Sequence, residues 1–347
     1  MVAAPLSRVE RIRRTLAGDE TDRPPISFWA HNFAKENSAE ELAQETVTHF
    51  RRYDWDLIKI QSRASVFGEA WGSRYRYSSQ RAIPPVLLDW PVRTARDLQA
   101  VRPLRDLVDP LAEQLAALRM IRREVGPDVP VLLTLFAPAM VLQFLTGESQ
   151  EALLGLVRDF PIEAHCALAA IRDTLSAYAQ AAIENGADGI FFAVKGASAN
   201  QMTRAEYAEF GLPYDRPVIE AARGGWLNML HFCGSHLYFD FAKDFSVPLV
   251  NWSLEPGNPT LAEGRDRLAR AVIGGVSPKP RILILTVEEV RAEVLAALGD
   301  TRGKRMMIGS GCSISPDTPE ANLFAARQAV LEWRETFEGP GIATRRN

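Results

Sequence analysis

Two short segments hold side chains able to bind a soft metal. His231-Phe232-Cys233-Gly234 closes a short apolar run, and Gly311-Cys312-Ser313 follows another. In an extended chain, residues i and i+2 point to the same side, so His231 and Cys233 can offer an imidazole and a thiolate to one ion. Cys312 can complete the set from another strand end, across the mouth that the strands enclose. Thiolates with an imidazole suit zinc, and three protein ligands leave a coordination position open, as a catalytic site requires. The same residues would also serve as small buried side chains of strands, and spacing alone leaves both readings open. His236, three residues past Cys233, could be a fourth ligand or could support one from behind. Cys166 lies in an Ala/Leu-rich helical run and reads as a core thiol. His49 reads as a structural or exposed helix residue.

The elements that must carry these residues alternate along the chain. Strand candidates are Pro25–Trp29, Leu57–Gln61, Val129–Leu135, Gly189–Val194, Leu227–Phe232, Leu249–Trp252, Ala271–Gly275 and Arg305–Ile308. Amphipathic stretches such as Ser38–Arg52, Pro110–Val125, Glu151–Asn185 and Val287–Leu298 lie between many of them. This βα rhythm implies a parallel sheet, and eight units imply a single-domain α/β chain folded as a closed (β/α)8 TIM barrel. A doubly wound open sheet is the alternative, although no Gly-rich dinucleotide turn follows the first strand to support it. Residues 66–101, rich in Tyr, Trp and Pro, are too many for a simple loop and are expected to cover the barrel mouth as a lid. The tail Gly339–Asn347 is expected to fray.

In such a barrel, chemistry gathers at the C-terminal ends of the strands. Those ends deliver Trp29, His31 and Asn32, then Gln61, Arg63 and Glu69, then Lys195 and Asn200, then Asn251 and Glu255. Glu69, Lys195 and Asn251 are the candidate polar wall of the active site. Each also has a plainer reading, as a turn residue, a surface-loop lysine and a satisfied strand-end amide.

Composition narrows the function classes. The 347 residues are 47% hydrophobic and 24% charged, with net charge −3, which gives no basic surface for nucleic acid. No window reaches the about 18 apolar residues of a membrane span. Met1–Arg14 has no apolar leader core, so a cytoplasmic location is expected. Three cysteines, an odd number, argue against a disulfide framework.

Several segments, in order along nearly the whole chain, resemble the uroporphyrinogen-decarboxylase superfamily. Arg23-Pro24-Pro25 is similar to its first-strand entry, and Glu69-Ala70-Trp71-Gly72 to its Glu-Ala-Leu-Gly turn. Ala187-Asp188-Gly189 with Tyr207, Phe210, Pro213 and Tyr214 resembles its fourth βα unit. The most specific match is Gly311-Cys312-Ser313-Ile314-Ser315-Pro316-Asp317-Thr318-Pro319, which resembles Gly-His-Gly-Ile-Leu-Pro-Asp-Thr-Pro. The departures matter as much. Where the decarboxylases carry propionate-binding arginines this chain has Ala30 and Ala34. Their essential aspartate falls on Arg63, and their late histidine on Cys312. A porphyrinogen with eight carboxylates needs those groups, so decarboxylation of it is not expected.

The substitutions instead resemble the corrinoid-linked methyltransferase branch, of methylcobamide:coenzyme M type. There a His-x-Cys and a later single Cys bind zinc, which implies His231, Cys233 and Cys312 as ligands here. The resemblance further implies a zinc-held thiolate, a small-molecule substrate, and a corrinoid as methyl donor or acceptor, either methylcobalamin or a corrinoid protein as partner, a choice the sequence leaves open. The alternatives are a decarboxylase-like lyase, a hydrolase using metal-bound water, and a non-catalytic tetrapyrrole or corrinoid binder.

Overall fold

The computed structural model describes residues 5–104, 107 and 110–337, with the side chains of 334–337 left aside. The tail expected to fray, 339–347, lies outside the described residues. The described residues form nine strands: β1 Ile58–Ile60, β2 Arg74–Arg76, β3 Val86–Asp89, β4 Val131–Phe136, β5 Gly189–Val194, β6 Met229–Phe232, β7 Leu249–Trp252, β8 Ala271–Val276 and β9 Met306–Ser310. Seven of them form one curled parallel sheet in the order β1-β4-β5-β6-β7-β8-β9, and β2 and β3 make a separate antiparallel pair.

The eight-strand expectation is corrected at the first candidate. Residues 25–29 make isolated bridges and no ladder, pairing Ile26 with Ile308 while Ala30 pairs with Ile314. Pro24 and Pro25 have no N–H to give. What remains is sparse but two-sided. Ile308 N donates to Pro25 O (2.8 Å), Ser27 N to Ile308 O (3.0 Å) and Asp56 N to Ile26 O (2.9 Å). The Ser27 hydroxyl donates to Leu57 O at 2.9 Å. Gly309 permits this approach, since a Cβ there would lie 2.8 Å from Ser27 O.

The helices follow their local signals. Ser38 caps helix Ala39–Tyr53, and Thr286 with Glu289 forms a capping box on helix Val287–Thr301. The long helix expected over 151–185 is broken into Gln150–Asp159 and Pro161–Glu184. Pro161 is the cause: it lacks the N–H that a continuous helix would need, yet suits the first helical position of the second. Residues 66–101 contain a short helix Val66–Ala70, the β2–β3 hairpin and helix Ala95–Ala100.

Two apolar layers hold the sheet. One lies between sheet and helices, and a smaller one, including Trp29, Leu132, Phe191, Met229, Ile273 and Met307, fills the inside of the curl. Strands buried on both faces explain why they read as nearly continuous apolar runs. No helix among the described residues is long and apolar enough to cross a membrane.

Candidate metal centre

β6 ends at Phe232, and the Cys233 N–H still donates to Val194 O (2.9 Å), so the chain stays extended through Cys233. His231 and Cys233 therefore face the same way. Gly234, at φ 105°, then turns the chain with a backbone that side-chain-bearing residues avoid. Cys312 comes just after β9. Its loop runs close to the end of β7, where a Cβ on Gly311 would meet the Ser253 backbone at 2.5 Å. The ligand atoms of His231, Cys233 and Cys312 all lie within 4.8 Å of one another.

The imidazole is held from behind. Asn251, opposite His231 in the β6–β7 register, is fully buried. Its Nδ2 donates to Ile273 O (2.7 Å) and Ser310 O (3.1 Å). Two acceptors on that side fix the amide, so Oδ1 faces His231 Nδ1 at 2.7 Å and must accept. The Nδ1 proton is thereby assigned, and Nε2 is left with its lone pair for a cation. Phe191 stacks on the ring at 5.2 Å.

The two thiols act on each other. The hydrogen bond from Cys233, together with nearby His231 and the Ser313 N–H, holds Cys312 well below the usual thiol range despite burial. That same hydrogen bond to Cys312, with burial, pushes Cys233 well up, and Lys195 and Lys279 offset this in part. Two sulfurs and one imidazole nitrogen, brought together from the end of β6 and the loop after β9, fit a soft cation, which would compete for both sulfurs.

The other sequence candidates lie around this cluster. Lys195, half-buried, donates to Gln143 Oε1 at 3.4 Å. Glu69 faces Arg63 (2.9 Å), accepts from Tyr77 (2.7 Å) and is bonded by the Ser65 hydroxyl. Arg63 also pairs with Glu113 at 2.6 Å. His236 is exposed with φ 50° and is not part of the metal-capable group. Cys166, expected in the core, is exposed, because its helix position faces outward.

Sequence reasoning passed over Lys59 and Glu36. Lys59, in the middle of β1, is 6% exposed, and Glu36 is 2% exposed. Lys59 bonds Gln61 Oε1, Gln61 Nε2 meets His31 Nε2 at 2.6 Å, and His31 Nδ1 meets Glu36 Oε2 at 2.7 Å. The available signal was a lysine inside Ile58-Lys59-Ile60: a strand covered on both faces has no solvent side for it.

The uroporphyrinogen decarboxylase (URO-D) family matches residues 7–333. The chain is 26% identical over 305 residues to a methylcobamide:CoM methyltransferase MtaA of Methanosarcina barkeri, covering 85% of each. It is also 26% identical over 311 residues to a uroporphyrinogen decarboxylase of Magnetococcus marinus, covering 84% of each. A solved methyltransferase from Methanosarcina mazei superposes with a TM-score of 0.82 at 20% identity, covering 96% of this chain and all of that one. That likeness fixes the fold as a TIM-barrel-like α/β architecture. The match spans nearly the whole of the chain, and the chain belongs to the uroporphyrinogen decarboxylase family.

Proposed function

We propose that this protein is a zinc-dependent methyltransferase, moving a methyl group between a corrinoid and a small thiol or methylated substrate. The corrinoid is methylcobalamin or the group carried by a corrinoid protein. The observation that carries the reading is the His231–Cys233–Cys312 group, with donor atoms within 4.8 Å and one imidazole nitrogen freed by Asn251. Zinc bound there would keep a substrate sulfur ionised, or polarise a leaving heteroatom, without redox chemistry.

The chain's own residues supply the rest. Asn251 fixes the tautomer and angle of His231. Lys195 places positive charge near Cys233. Glu69 keeps Arg63 turned into the wall, so that neither charge is offered to the mouth. Residues 66–101 would cover that mouth as a lid, and the Pro25–Trp29 segment lies beside β9 through the Ile26–Ile308 bridge. A decarboxylase-like lyase is the second reading, favoured by decarboxylase relatives at the same identity. Against it, Arg63 stands where the decarboxylases place an aspartate and is already engaged by two carboxylates.

The test mixes zinc-loaded protein with methylcobalamin and a panel of small thiols, following cobalt demethylation by absorbance. Reduced cobalamin with methyl ethers and methylthio compounds covers the other direction. Methyl transfer that disappears in Cys312→Ala is the expected result. Silence in both directions, with free cobalamin and with corrinoid protein, overturns the reading.

A further inference from the structure

Lys59 is a buried amine whose surroundings do not settle its proton. Among the described residues its hydrogen-bond acceptor is the neutral Gln61 Oε1, although an ammonium has three N–H groups to place. Its Nζ lies 4.4 Å from the centre of the Phe191 ring, and 5.9 Å from that of Trp29. Phe191 is the ring that stacks on His231. The amine also borders a cavity of about 170 Å3 whose lining includes Trp29, His31, Gln61 and Ile314 but none of the three metal-capable residues, so Lys59 is tied to that group through the shared Phe191 ring and the charge of Cys312.

The hydrogen bonds behind Lys59 have one direction. As an ammonium Lys59 can only donate, so Gln61 Oε1 then accepts and Gln61 Nε2 donates to His31 Nε2. His31 Nδ1 then carries the proton given to Glu36 Oε2, while Glu36 Oε1 accepts from the Ala64 N–H at 3.1 Å. Such a chain pins the amine in place. It offers no acceptor for a proton from Lys59 beyond the first amide, so the amine exchanges its proton outside that chain.

We propose that Lys59 is the proton carrier of the substrate: its amine takes the thiol proton as the substrate binds, and its ammonium returns one in the reverse direction. This rests on the methyl-transfer reading above. In the forward sense the substrate S–H bond breaks, the proton forms an N–H bond on Nζ, and the electron pair stays on sulfur to attack the methyl carbon, whose bond to the corrinoid donor breaks with its pair left on the reduced corrinoid. In the reverse sense the reduced corrinoid supplies the pair that bonds the methyl carbon, the heteroatom leaves with the pair from its own bond to methyl, and that pair takes the proton from Nζ. Burial pulls Lys59 down to about 7, against the opposing pull of Cys312 and Glu36, so both protonation states are accessible near neutrality. Those two groups reach it from the loop after β9 and from the loop ahead of helix Ala39–Tyr53. His31 acts on it only through Gln61, while β5 and the first segment present Phe191 and Trp29, which do not titrate.

Two measurements on the full chain test this. The first follows Lys59 by side-chain NMR in metal-free protein, assigned by the signal lost in Lys59→Arg. A midpoint near 7 is expected, and one near the ordinary 10.5 overturns the proposal. The second binds 2-mercaptoethanol to zinc-loaded protein in a calorimeter, using buffers of different ionisation heat. Near pH 8 the wild type should release almost no proton to buffer, whereas Lys59→Arg and Lys59→Met should each release about one. Near pH 6, where Lys59 is already charged, all three should release about one. Methyl transfer should fall about 100-fold in both variants at unchanged zinc content. A wild type that transfers methyl yet releases a full proton near pH 8 sinks this inference alone. A zinc-loaded wild type that binds no thiol and transfers no methyl sinks it together with the function it rests on.

Discussion

Arg63 and Lys59 are neighbours in the chain, one just beyond the end of β1 and one within it, and they are buried alike at 5% and 6% exposure. Their electrostatic situations are opposite. Burial alone would lower the Arg63 pKa, but Glu69 and Glu113 raise it further, so its charge is settled. Lys59 bonds a neutral amide, and burial pulls it down to about 7. A buried cation with carboxylates around it is architecture. A buried cation that bonds only a neutral amide is free to exchange a proton. The same contrast separates Glu69, engaged on all sides, from the sulfurs of Cys233 and Cys312, which have mainly each other and the imidazole.

The comparison can be broken from the Arg63 side first. Arg63→Met takes the guanidinium from Glu69 and Glu113 and should destabilise the fold by about 3 kcal/mol, read from urea unfolding. An unchanged midpoint would mean that solvent already screens the three charges. The opposite sign is expected at Lys59. Lys59→Met removes an amine whose burial costs stability, so the variant should be more stable by about 2 kcal/mol even as methyl transfer is lost. The gain should depend on pH in a set direction. Because the folded pKa lies below the unfolded 10.5, the folded state resists a proton that the unfolded chain binds. Wild-type stability relative to Lys59→Met therefore falls as pH drops from 10.5 towards 7, and is level below. A difference independent of pH would show that Lys59 keeps an ordinary lysine proton.

Residue chemistry explains what the sequence disclosed. The βα rhythm placed seven sheet strands to within a few residues, because doubly covered strands are apolar and bounded by caps and turns. It overcounted at Pro25–Trp29, where apolar side chains are present but two prolines deny the ladder its donors. It also ran one helix through Pro161. The metal-capable group was legible since His231 and Cys233 share a strand face and Cys312 sits beside glycines at another strand end. Asn251 was found as a strand-end amide, but its hold on His231 depends on inter-strand register that only the folded sheet supplies. Lys59 and Glu36 went unseen because each looks ordinary alone, and only the folded structure joins them through Gln61 and His31.

The measurement closest to the centre of this account is the metal content of the purified protein, by elemental analysis, for wild type, Cys233→Ala and Cys312→Ala. About one zinc per chain is expected in the wild type. Both variants should lose it while keeping the wild-type circular dichroism spectrum, since these ligands sit at strand ends outside the packed layers. A wild type without zinc, or variants that retain full occupancy, would contradict the assignment of His231, Cys233 and Cys312 as its ligands.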